Sequence, residues 1–414
     1  MTRTLIRGGC VLTMGRTNYP DADVLIEDGR IAEIGHGIRA RDAEQIDGTG
    51  TIVMPGFVDT HRHVADSLFR NTGHSPATAP ELVAPLYGAD DVYAATLIGL
   101  LGAVDAGITT VADCCRMASA GPAHFEAALQ AHRDVGTRSV VVIGETAATS
   151  PGWEAALHHG EAGPLTTLAA GPEGGAGDRW EVARRCGMRI HSHAIGRGSV
   201  SSRAAMLDGD VTLVHCTDAD DGDLDAIHDS GARVSLTPSN DMATGLGMPP
   251  VQGLIDRNIR PGLGVDSDRF APGDLFAQIR ALISMQHATV FDRKLAGKAG
   301  LPKLLTTREV IRYATIDGAA AIGLEGITGA LEPGQRADLV VLRADRPNIY
   351  PVNDPIGAVV WGMDTSNIDW VFVEGQALKR HGELQADVDS ARAGAGQARG
   401  RIAAAAGVES GVRG

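Results

Sequence analysis

The hydrophobic rhythm of the chain changes twice along its length. From residue 3 to 53, short β-type runs (Thr4 to Ile6, Val11 to Thr13, Val24 to Ile26, Ile31 to Ile34, Thr51 to Val53) alternate with Gly/Asp turns such as Glu27-Asp28-Gly29-Arg30, the texture of a small hairpin sheet. From Pro55 onward, short apolar runs alternate with helix-like segments, which predicts βαβ units around a parallel sheet. Eight runs follow this pattern: Gly56 to Thr60, Thr109 to Ala112, Ser139 to Ile143, Leu165 to Ala170, Arg189 to Ser192, Val211 to Val214, Arg233 to Leu236 and Pro261 to Val265. Eight strands at this spacing are what a closed (β/α)₈ barrel requires.

A helical region then runs through Leu324, with Thr307-Arg308-Glu309-Val310 as a helix start, and β texture returns at Ala337 to Leu342 and Asp369 to Gly375. The predicted fold is therefore α/β: a (β/α)₈ TIM-like barrel over residues 55–329 and a smaller discontinuous β-sandwich from both termini, residues 1–54 plus 330–386. Residues 387–414 are an Ala/Gly/Arg-rich tail with helical potential and a mobile tip.

Composition narrows the partners. With 414 residues, 43% of them hydrophobic and 21% charged, the chain supports one large core and a satellite. A net charge of −14 repels nucleic acid and anionic membrane, leaving a small molecule as the expected substrate. Five cysteines without CxxC spacing argue against a disulfide framework, and with no signal-like or membrane-spanning run they fit a cytoplasmic protein.

The segment Pro55-Gly56-Phe57-Val58-Asp59-Thr60-His61-Arg62-His63 is an apolar strand ending in His-x-His. Alternate strand residues face the same way, so His61 and His63 can grip one ion, although the motif alone is common by chance. His193, His215 and Asp266 fall at the C-terminal ends of later strands, the rim on which barrels build their sites. Imidazoles with one carboxylate suit a single divalent ion, zinc first and iron second, with one position left for water; Asp266 can both ligate and accept the water's proton.

These residues, together with Leu213-Val214-His215-Cys216, Thr237-Pro238-Ser239-Asn240, Gly264-Val265-Asp266, Ala314 to Ala319 and Gly329-Ala330-Leu331-Glu332-Pro333-Gly334-Gln335-Arg336-Ala337-Asp338-Leu339, resemble the amidohydrolase superfamily, in its branch of cytosine and guanine deaminases and triazine hydrolases. The resemblance covers nearly the whole chain. It implies a hydrolase of C–N bonds in which His61, His63, His193 and Asp266 hold the metal and His215 meets the water or the leaving group. It also suggests a homo-oligomer, by analogy alone. The carboxylated lysine that bridges two metals in binuclear members has no counterpart, because no lysine precedes Lys294; a mononuclear site is expected, with a bridging Glu or Cys as the open alternative. Packing is the expected role of Cys114 and Cys115.

One departure stands out. Deaminases of this branch carry His-x-x-Glu after the fifth strand, the Glu passing a proton to the ring nitrogen, whereas here His193-Ala194-Ile195 is followed by Gly196. Glu145 and Glu173, placed at the ends of the third and fourth strands, are candidate replacements, or else loop carboxylates paired with arginines. The alternative is chemistry that needs no ring protonation, with an amide, carbamate, cyclic imide or halide as the group cleaved; a non-catalytic protein that kept the metal site is a third reading.

Overall fold

The computed structural model describes residues 3–75, 78–116, 120–144, 162–171 and 177–408. Nine strands from the two ends of the chain form one mixed sheet: β1 (Arg3–Val11), β2 (Tyr19–Glu27), β3 (Arg30–Gly35), β4 (Glu44–Asp47), β5 (Thr51–Pro55), β14 (Leu339–Arg343), β15 (Ile368–Val373), β16 (Gln376–Arg380) and β17 (Glu383–Leu384). Its order is β17-β16-β15-β14-β5-β1-β2-β3, with β4 beside β1. The Asp28-Gly29 turn joins β2 to β3 with both residues at positive φ (48° and 80°), the two-residue hairpin that suits strand twist. The sheet rolls so that Val24, Ile26 and Ile31 share one buried core with Leu339, Val341, Trp370 and Phe372.

The central part of the chain is the barrel. Strands β6 (Phe57–Arg62), β7 (Ile108–Cys115), β8 (Arg138–Gly144), β9 (Thr166–Gly171), β10 (Arg189–Ile195), β11 (Val211–Thr217), β12 (Arg233–Leu236) and β13 (Gly262–Leu263) pair in parallel and close on themselves. All eight coincide with the runs read from sequence, but several extend further toward the rim: β6 takes in His61, β10 takes in His193 and β11 takes in His215. The eighth strand is shorter than expected. Past it, a Cβ on Gly264 would lie 2.6 Å from the His61 carbonyl oxygen, so a glycine lets the chain pass close to β6 and set Asp266 beside the first histidine.

Barrel and sheet are tied by a buried ionic cluster. Arg138, at the base of β8, reaches Asp338 Oδ2 and Glu374 Oε2, each at 2.6 Å, and Asp338 also accepts the Glu374 backbone N–H at 2.8 Å. The tail forms a helix, Val388–Ala405, whose Ala391, Ala395, Ala398 and Ile402 are buried where it packs on the barrel helix Ala89–Asp105. The helix expected at Thr307 spans Thr307–Tyr313, with Thr306 as its cap and Glu309 closing the capping box. Among the described residues, no helix is long and apolar enough to cross a membrane.

Candidate active site

Five chemistry-bearing side chains converge where β6, β10, β11 and β13 open onto one rim. His61 is fully buried; its Nδ1 lies 3.1 Å from His191 Nε2, which leaves Nε2 at 3.4 Å from His193 Nε2 and 3.5 Å from Asp266 Oδ1. His63 lies just beyond β6. Its Nδ1 is 2.9 Å from the Cys114 carbonyl oxygen, which can only accept, so Nδ1 carries the proton and Nε2 is the atom 3.4 Å from Asp266 Oδ1. His215 Nδ1 sits 2.8 Å from Asp241 Oδ1 and 2.9 Å from Thr237 Oγ1.

Both His215 (φ 70°) and Asp266 (φ 64°) hold left-handed backbone conformations. Non-glycine residues adopt these at a cost of about 1–3 kcal/mol, which surrounding structure must offset and which concentrates at functional sites.

The donor atoms of His61, His215 and Asp266 all lie within 4.8 Å of one another, and so do those of His61, Cys114 and His193. Imidazole nitrogens 3.4 Å apart with a carboxylate beside them make poor partners for each other and a good donor set for a divalent ion, so the residues present fit a metal. Their electrostatics agree. Burial, reinforced by neighbouring imidazoles, holds His61 well below the usual histidine range; burial and the nearby Arg116 do the same for His63; and burial pushes His191 down to about 3. Neutral imidazole is the ligating form. His215 goes the other way: burial lowers it, but the hydrogen bond to Asp241 and the charge of Asp266 outweigh that and raise its pKa.

The site opens onto a cavity of about 900 Å³ lined by His63, His193, His215 and Asp266, by the charged Glu81 and Arg116, and by the apolar Pro80, Pro85, Ile195, Leu246 and Phe270. Several participants escaped the sequence reading. Asn240 donates through Nδ2 to Asp266 Oδ2. Asp241 and Thr237 orient His215; the signal was present in Thr237-Pro238-Ser239-Asn240, a motif that places a helix, Pro238–Thr244, directly after β12. Asp66, a buried carboxyl whose pKa burial raises, lines the cavity and accepts from Ser267 Oγ at 2.8 Å. Cys114, expected to pack, also lies 3.5 Å from His61 Nδ1.

Other side chains near the rim have partners of their own. Arg62 is turned away from the ion site, to the Gly273 carbonyl at 3.1 Å and Asp268 Oδ2 at 3.3 Å, as a residue between two inward ones should be. His74 bonds the Ala243 carbonyl at 3.0 Å. Glu145 and Glu173 lie outside the described residues, as do Trp153, His158 and His159. At Gly196 the φ is +79°, and a Cβ there would meet nothing within 4 Å. Space for a side chain exists; the backbone conformation is one that favours glycine.

A parallel barrel with an imidazole and carboxylate cluster at its C-terminal rim defines a barrel hydrolase of the metal-dependent class. The amidohydrolase family model matches residues 52–378. Among curated proteins, the chain is 28% identical over 423 residues to a 5-methylthioadenosine/S-adenosylhomocysteine deaminase of Symbiobacterium thermophilum (91% of this chain, 94% of the relative). It is 27% identical over 417 residues to a 5′-deoxyadenosine deaminase of Methanothermobacter thermautotrophicus (92% and 94%). Among solved structures, an adenosine deaminase from Xanthomonas campestris with bound zinc superimposes with a TM-score of 0.82 at 20% identity, covering 97% of this chain and 99% of that one. The atrazine chlorohydrolase TrzN from Arthrobacter aurescens, complexed with zinc, gives 0.79 at 23% (96% and 100%). The chain belongs to the amidohydrolase family. It is a metal-dependent hydrolase acting on C–N bonds of small molecules.

Proposed function

We propose that the protein hydrolyses a C–N bond of a nitrogen heterocycle or cyclic amide at one divalent ion, zinc first and iron second, held by His61, His63, His193 and Asp266. The convergence of His61 and His63 Nε2 on the same oxygen of Asp266 carries this reading. When bound, such an ion supplies Lewis acidity, bringing a water's pKa to about 7 and polarising the carbon to be attacked. Asp266 Oδ1 takes the proton of the attacking water, while Oδ2 is fixed by Asn240 Nδ2. His215, its Nδ1 proton held by Asp241, presents Nε2 to the oxygen or leaving group on the reacting carbon. Pro80, Pro85, Ile195, Leu246 and Phe270 in the cavity wall give a substrate apolar surface to pack on.

The named activities of the relatives point to an aminated purine nucleoside as the first class to test. Gly196 favours a second reading. The proton-shuttling Glu of the deaminase pattern is absent, and the left-handed backbone there is built for glycine, so the departure is a feature of the strand end rather than a side-chain swap. Amides, carbamates and halides leave without ring protonation. The test is ammonia release from zinc-loaded protein over aminated purine nucleosides, purines, pyrimidines, triazines and pterins, with cyclic amides, carbamates and chlorotriazines assayed beside them. Ammonia from an aminated ring supports the first reading, turnover only of the other groups supports the second, and turnover of nothing in the panel contradicts both.

A further inference from the structure

Beside the histidines assigned above lies one further donor that the mechanism leaves unused. At the rim end of β7, Cys114 is buried, with Sγ 3.5 Å from His61 Nδ1, and its donor atom, one of His61 and one of His193 lie within 4.8 Å of each other. A separate void of about 20 Å³ opens at this point, lined by Cys114, His63, His191, His193 and Arg116 and by Gly144 and Gly171 at the ends of β8 and β9. That is room for one water or one ion. At Gly171 a Cβ would come 2.9 Å from Val142 Cγ1 and 3.2 Å from the Ile143 carbonyl oxygen, so close packing of β8 and β9 keeps this corner free of side chains.

Two observations, the donor triangle and the small void, thus share Cys114 and His193. We propose that Cys114 is a thiolate ligand, so that the metal centre is a mixed nitrogen and sulfur site and not a purely nitrogen and oxygen one. The proposal rests on the metal-centre reading. On ligation the S–H bond breaks, its proton leaves to solvent, and the sulfur lone pair forms the metal–sulfur bond. A thiolate adds a full negative charge among imidazoles, where the family's lysine-derived bridge has no counterpart, and it selects softer ions such as zinc, cobalt and cadmium over magnesium or manganese.

Cobalt(II) loaded into the full-length metal-free protein is the probe. The expected result is an intense thiolate-to-cobalt charge-transfer band in the near ultraviolet that is lost in Cys114→Ser and kept in Cys115→Ser. Sulfur in the first shell of the zinc-loaded wild type, read by X-ray absorption, gives the same answer without a variant. A cobalt-loaded protein with visible d–d bands but no charge-transfer band, or a band that survives Cys114→Ser, overturns the assignment. Failure of the wild type to take up any divalent ion overturns the metal-centre reading itself, and this proposal with it.

Discussion

His215 Nδ1 lies 2.8 Å from Asp241 Oδ1, and both residues are buried. The carboxylate accepts the Nδ1 proton and so selects which nitrogen the imidazole turns to the cavity. Asp241→Asn, which keeps the shape but can offer an amide N–H to Nδ1, is expected to lower kcat/KM by about 10- to 100-fold, the usual cost of losing a carboxylate behind a metal-site histidine. Steady-state kinetics on the first substrate found decide it; an unchanged kcat/KM shows that Asp241 does not orient the ring.

Acid should weaken the fold through the buried imidazoles. His191 has its pKa pushed down to about 3, so the unfolded chain binds a proton near pH 6.5 that the folded chain refuses. The sign follows: this stability is present in full above pH 6.5 and is lost as pH falls from there toward 3, about 2 kcal/mol of it by pH 5. Urea unfolding of metal-free protein between pH 7 and 5 should show a slope shallower by about one proton in His191→Asn than in wild type. Equal slopes contradict a neutral, buried His191.

Gly196→Ala places a Cβ in open space but on a backbone at φ +79°. The expected cost is about 1–2 kcal/mol from conformation alone, seen as a lower urea midpoint at unchanged m-value. A neutral substitution means that this strand end reshapes easily and that the missing Glu is a simple replacement.

The link between sheet and barrel yields a larger number. Arg138→Ala strands Asp338, a carboxylate with no exposed side-chain surface, and should destabilise the protein by about 3–5 kcal/mol. Thermal unfolding reads it; a loss below 1 kcal/mol shows that the cluster contributes little.

The same residue explains how much of this molecule was legible in advance. The Gly329 to Leu339 motif identifies the family without any visible chemical duty, and the structure gives it one: Asp338 locks the terminal sheet to β8. Barrel strands were readable because each is an apolar run between breaks, and His61 and His63 because strand alternation turns residues two apart to the same side. Strand ends were less readable, since the rim residues His193 and His215 are polar yet still hydrogen-bonded into the barrel. Asp66 and Asp241 were not legible as site residues, and Cys114 read first as a packing residue, because their relation to the histidines is set by loop and barrel closure across 26 to 53 residues of sequence or by a short helical turn after His63.

The central claim is the metal centre, and metal content tests it most directly. Wild-type protein, purified without chelator and passed through gel filtration, should carry or take up about one equivalent of zinc or iron per chain by mass spectrometry. His61→Ala and Asp266→Ala should each hold less than about a tenth of that while keeping a wild-type circular dichroism spectrum. Wild-type protein that stays below a tenth of an equivalent after incubation with either ion, or folded variants that bind as well as wild type, would contradict the account.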